Sequence, residues 1–233
     1  ALPISQVYGG VWRSSDLMEW LSSVEWAWGV HLGINLVLAL FMGGAALALR
    51  LRSLTAMAVM SAVVVVHGAN VQGYLHNWLP GSFERWADLS VSVGIFFLPA
   101  SLAWQVRELL TAGTRWRRID KALLVLCVAP LLAIASIPLG LYHLCAPMAV
   151  SAPWLVCLLA VWVTWNNLRD EGLTRVGLIT AIPYTLHVCI GVHVAATYIG
   201  WTSSFIEAGV FWQLEMLLLN VLISVAVGLG LVE

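Results

Sequence analysis

The chain has 233 residues, of which 61% are hydrophobic and 10% charged, and its formal net charge is −1. Soluble domains of this size carry roughly 25% charged residues, so with a mean hydropathy of +0.91 an ordinary cytoplasmic enzyme is excluded. A near-neutral chain without a basic stripe is not a nucleic-acid binder either.

Read in chain order, the first segment is residues 1–25, an extracytoplasmic lead in which Asp16, Glu19 and Glu25 face solvent. The opening Ala1 to Gly10 lacks the basic and apolar regions of a cleavable export signal. Further residues are therefore expected upstream of Ala1. Seven apolar runs follow, each long enough to cross a bilayer as a helix of about 20 residues. They cover about 26–49, 54–75, 87–108, 121–143, 150–167, 176–199 and 208–231, a helical rather than a barrel solution for backbone in lipid. The expectation is an all-α, integral membrane seven-helix bundle. The fifth run is the shortest, ending in Asn166-Asn167. The last run reaches Val232-Glu233 without a polar tail, which leads to the expectation of a longer natural chain cut at a domain boundary.

The connections carry the punctuation. Arg50-Leu51-Arg52-Ser53 is a tight turn, Asn77 to Ser82 is a turn with Pro80 and Gly81, and 111–120 is a basic loop. Gly172 is placed to cap the fifth helix. Gly43, Gly44 and Gly94 permit close helix packing, and Pro130, Pro138 and Pro183 are placed to kink helices four and six. Several of the thirteen Trp, among them Trp26, Trp78, Trp116 and Trp201, stand near span ends, where an apolar ring with a polar N–H is best placed.

Orientation follows from the short loops, because Lys and Arg accumulate on the cytoplasmic side. Arg50, Arg52, Arg107, Arg115, Arg117, Arg118, Lys121, Arg169 and Arg175 fall on one side, and Arg13 and Arg85 on the other. The N-terminus is thus expected outside and the C-terminus in the cytoplasm. The four cysteines, Cys127, Cys145, Cys157 and Cys189, form no CxxC pair and all but Cys145 fall within spans. They read as small buried hydrophobes.

Polar side chains inside a span are costly and mark function or packing. His31 and Asn35 are four apart on one face of helix one. Helix two carries His67, Asn70 and Gln72, helix six His187 and His193, and helix seven Gln213, Glu215 and Asn220. Glu215 lies about 10 Å below the outer end of its helix at the α-helical rise, at a depth where a carboxyl is protonated or paired. Glu215, His31, Asn35, His193 and Gln213 are the candidates for sensing a ligand or signal. His67, Asn70, Gln72, His187 and Asn220 are the candidates for interhelical hydrogen bonding that sets packing.

No catalytic set emerges. HExxH, GxSxG and paired aspartates within spans are all missing from the sequence, and the single lysine, Lys121, stands at a helix end rather than where a retinal Schiff base would need it. No metal and no cofactor is implied. His67 and His187, both near mid-bilayer, keep a haem-binding redox subunit open as a rival, with a Soret band as its test. A small transporter or channel is a second rival, which internal repeats or broken helices would favour.

One pattern is more specific. Gly68-Ala69-Asn70-Val71-Gln72-Gly73-Tyr74-Leu75-His76-Asn77-Trp78-Leu79-Pro80 leads into a span ending Trp104-Gln105-Val106-Arg107-Glu108, followed by Arg117-Arg118-Ile119-Asp120 and a last helix with Gln213-Leu214-Glu215-Met216. Over about residues 10–233 this resembles the bacterial seven-transmembrane receptors with diverse intracellular signalling modules. Val11 to Asp16 resembles the end of the periplasmic sensory domain that precedes such bundles. The exit of helix seven departs from the pattern in lacking basic residues. The resemblance implies a multi-pass domain of the bacterial inner membrane that is not itself an enzyme. It implies a homodimer that relays a periplasmic-domain signal, or an unknown small ligand, to a cytoplasmic histidine kinase or diguanylate cyclase. Its other partner is the lipid bilayer.

Overall fold

The structure, a computed structural model, describes residues 14–74, 84–111, 116–198 and 208–230. Among them the chain forms seven α-helices and no strand: α1 Ser14–Leu49, α2 Arg52–Val71, α3 Glu84–Val106, α4 Arg117–Ala133, α5 Tyr142–Glu171, α6 Arg175–Tyr198 and α7 Ala208–Gly230. Six contain a stretch long and apolar enough to cross a membrane, and the described part of α7 adds the shorter apolar helix Met216–Leu229.

Two helix bounds differ from the apolar runs for identifiable reasons. Helix α1 begins at Ser14, twelve positions before its apolar run, because backbone hydrogen bonding carries a helix past its apolar stretch, whereas hydropathy marks only that stretch. The run at 121–143 is not one helix. Helix α4 stops at Ala133, a short 3-10 turn covers Ile134–Ser136, and the chain reverses through Gly140 at φ 71. Pro138 stands inside that reversal and has no N–H to continue an i to i−4 ladder. Tyr142, His143 and Cys145 thereby join α5, which spans 30 residues and is not the short element that its apolar run indicates. Pro138 thus kinks no helix, while Pro130 and Pro183 do lie inside α4 and α6.

The connections are tight. Between α1 and α2, Arg50 adopts φ 55, and its N–H donates to the Ala46 carbonyl at 2.8 Å. A left-handed residue with a Cβ costs about 1 kcal/mol, and it lets the chain reverse within two residues. Gly172 ends α5 at φ 87, a conformation that suits glycine alone at its ψ of 172.

Helices α1, α2 and α3 pack in succession, α3 also packs on α4 and α5, α6 joins α5 to α7, and α7 returns to α1. The bundle is thus closed, with α3 as its most shared member. Its interior holds Leu54, Met57, Met60, Leu102, Val156, Ala160, Tyr184, Met216, Leu219 and Ile223. Its outside is equally apolar: Val37, Leu40, Phe41, Leu47, Leu132 and Met148 are all exposed. An apolar exterior of this extent belongs in hydrocarbon.

Glycine sets the closest approaches. A methyl group at Gly94 of α3 would collide with the His67 imidazole of α2, and one at Gly191 of α6 with the Trp154 ring of α5. Gly43 has only an ordinary neighbour, Ala58 at 3.9 Å, and Gly44 has none within 4 Å. Of the four cysteines, Cys157 is buried whereas Cys189 is exposed on the bundle surface.

Candidate functional site

Polar groups inside the bundle gather at helix seams. The first seam joins the ends of the chain. Asn220 on α7 donates its Nδ2 to Oδ1 of Asn35 on α1 at 2.6 Å, and Asn35 Nδ2 donates to the His31 carbonyl at 2.9 Å. Asn35 is 0% and Asn220 2% exposed, so neither amide can exchange its partner for water. Ser224 continues the chain by donating to the Asn220 carbonyl at 2.6 Å. His31, also buried, meets Trp28 edge to face at 5.7 Å between ring centroids. The i, i+4 spacing on α1 presents His31 and Asn35 to one side, and α7 supplies the third member.

A second seam lies between α5 and α6. Tyr184, His187 and Gly191 fall within two turns on one side of α6. His187 meets Trp154 of α5 at 6.4 Å between centroids, and the Trp154 ring rests where Gly191 has no side chain. The Tyr184 hydroxyl is fully buried and has no hydrogen-bond partner among the described residues. Trp154 also lines an open groove of about 760 Å³ together with Ile95, Tyr142, His143, Pro147 and Val150.

The third set of contacts sits at the end of α3. The helix loosens into a π turn at Arg107–Thr111, a local geometry frequent at functional sites. Arg107 Nε lies 2.9 Å from Asp120 Oδ1 on α4, and Nη1 lies 3.2 Å from Glu108. Thr111 donates to the same Asp120 oxygen at 3.2 Å. The wider turn swings Arg107 and Thr111 onto one side, toward the first turn of α4. Next to it, Trp116 Nε1 donates to Asn167 Oδ1 of α5 at 2.9 Å.

A family model described as 7TM diverse intracellular signalling matches residues 25–229. The chain belongs to that family. It is a membrane-embedded signalling domain with multiple spans, as its motifs imply. No curated protein and no solved structure matches it.

Seen as a member of the 7TM diverse intracellular signalling family, the molecule divides the residues singled out in its sequence. His31, Asn35 and Asn220 come together. Asn35 and Asn220, assigned to different roles from sequence, form one hydrogen bond. His67 packs against α3 and His187 against α5, so these two histidines belong to different seams. Asn70 is buried on α2 with Oδ1 lacking a hydrogen-bond partner among the described residues, and Gln72 caps that helix. His193 is half-buried on α6. The backbones of Gln213 and Glu215 belong to α7, but their side chains lie outside the described residues, as does the turn at 75–83. Among the described residues no group of three or more His, Cys, Asp or Glu could hold a metal ion.

Sequence reasoning missed Tyr184 and counted Trp154 only among the tryptophans near span ends, because nothing local distinguishes them from other aromatic residues in an apolar helix. It also missed the Arg107–Asp120 pair, although a signal existed. Asp120 is a lone acid in a run of cations, and such an acid is commonly held by one particular partner.

Proposed function

We propose that this domain is the relay of a bacterial inner-membrane receptor, with α1 arriving from the outer side and α7 leaving into the cytoplasm. The signal enters through residues upstream of α1 or through a ligand in the bundle. It leaves through α7 to a histidine kinase or a diguanylate cyclase, in a homodimer. The observation that carries this reading is the buried Asn220–Asn35 hydrogen bond, which joins the first helix to the last. A buried bond of this kind is made or broken as a unit, so it gives α7 two discrete positions relative to α1. A signal acts by shifting the population between them. The placement of nine of the eleven Lys and Arg residues supports the orientation. The family supports an intracellular output. Glu215, five positions before Asn220 on α7, is the proposed point at which a proton or ligand biases the same helix.

The test uses the full-length receptor in membranes, reading phosphorylation or cyclic dinucleotide synthesis with and without stimulus. Asn35→Leu and Asn220→Leu are each expected to shift the resting output by about fivefold or more, the low end of typical coupling free energies. The double variant should add little to either single one. Outputs that stay normal in both single variants, with normal insertion, would rule out the seam as the relay. Glu215→Gln should change output while leaving insertion intact.

A further inference from the structure

We infer that the cavity at the start of α4 binds the phosphate headgroup of an anionic phospholipid, whose acyl chains run down the outer face of the same helix. The cavity measures about 730 Å³ and is lined by Trp116, Arg117, Arg118, Ile119 and Lys121.

Charge is the first argument. Asp120 is the acid of the first turn of α4, but it is drawn away from the cavity by Arg107 at 2.9 Å and Thr111 at 3.2 Å. Arg117, Arg118 and Lys121 are exposed and, among the described residues, have no carboxylate partner. Cations at i, i+1 and i+4 repel one another, and an anion shared between them removes that repulsion. A phosphate suits the set, since a guanidinium binds two of its oxygens side by side while an ammonium adds a point charge. Trp116, the N-cap, offers no side-chain hydrogen bond to the first N–H groups of α4. These groups add donors to the cationic wall.

Position is the second argument, and it selects a lipid over a soluble phosphate. The cavity opens the membrane span Arg117–Ser136. Along one face of that span the exposed residues read Arg117, Lys121, Leu124, Val128 and Leu132, so two cations are followed by three apolar side chains at helical spacing. A charged head above an apolar track is the outline of an amphiphile. Trp116 is the fixed edge between the two parts, because its indole N–H is held by Asn167 of α5 at 2.9 Å. Basic pockets beside transmembrane helices are suited to anionic headgroups, with each cation contributing about fivefold in affinity.

The experiment measures binding of short-chain phosphatidylglycerol to the detergent-solubilised protein by native mass spectrometry. Phosphatidylcholine of equal chain length and glycerol 3-phosphate serve as competitors. Phosphatidylglycerol should bind in preference to both. The combined Arg117→Gln, Arg118→Gln and Lys121→Gln variant should lose at least about tenfold in affinity, and Lys121→Gln alone about fivefold. Arg169→Gln with Arg175→Gln removes charge at the neighbouring α5–α6 connection and should leave binding unchanged. An equal loss in that control would mean diffuse surface charge rather than a site. Equal binding of phosphatidylcholine would show that headgroup charge is not read, and equal binding of glycerol 3-phosphate that the site is one for soluble anions. Any of these three results overturns the assignment.

Discussion

The α1–α7 seam and the α3–α4 end use opposite polar chemistry. The seam pairs two neutral amides that are almost completely buried, Asn35 and Asn220, near the middle of the span Val24–Leu49. The end of α3 pairs formal charges, Arg107 with Asp120, at side-chain exposures of 27% and 22%. The reason is the solvent each would have without its partner. Charge at the centre of a bilayer is strongly unfavourable even when paired, whereas an amide needs only its hydrogen bonds satisfied. At the rim, the two side chains stay partly exposed although the Arg107 Nε atom itself is buried, and a partly exposed pair forms and breaks at small cost. A persistent polar link across the bundle is therefore neutral and deep, and an adjustable one is charged and shallow.

Substitutions at these places test the contrast. The largest effect is expected where packing admits nothing. Gly94→Leu drives a side chain into His67 and should cost about 3 kcal/mol in an SDS-titration unfolding measurement, the upper part of the overpacking range. Gly44→Leu, with no neighbour within 4 Å, should cost close to nothing in the same assay. Equal costs at the two glycines would show that the α2–α3 seam is not close-packed. Next comes Asn220→Leu, which strips Asn35 of its cross-helix donor. The expected loss is about 1–2 kcal/mol, and it should be the same in low and high salt.

Arg107→Gln is expected to cost less, under about 1 kcal/mol. Its signature is salt dependence, because ions screen a partly exposed pair. The loss should shrink between low salt and about 1 M salt, where the screening length is only about 3 Å. A salt-independent loss would make this contact a buried one and erase the contrast. Trp165→Phe should be smallest, at most about 0.5 kcal/mol. It removes a single hydrogen bond to Thr185 at 2.9 Å, on an exposed face.

Much of the fold was legible because membrane insertion depends on sums over consecutive residues. Seven apolar runs correspond to the seven α-helices among the described residues, and Gly172 caps α5 where the chain pattern put it. The failures have local causes. Hydropathy could not separate α4 from α5, since residues 134–141 are almost all apolar, and only the Pro138–Gly140 reversal divides them. It also could not show that Ser14 to Glu25 continues α1 beyond its apolar part. The site was less legible than the fold. His31 and Asn35 were visible as a pair on one face through their spacing, but Asn220 had nothing to link it to them.

From the sequence alone came residence in the bilayer, the number of helices, the expected side of each loop and the resemblance to its family. These rest on composition and on spacing along the chain. Tertiary structure alone decided that Asn35 meets Asn220 across 185 positions. It alone placed His67 and His187 in different seams, and it alone showed that a π turn delivers Arg107 to Asp120. The physical reason lies in the helices themselves. A helix of a soluble protein marks its inner face with an apolar stripe, but a helix in lipid is apolar on nearly every side. Its rotation is then set by small contacts with its neighbours, such as a glycine beneath an imidazole or an amide against an amide, and these exist only once the bundle has closed.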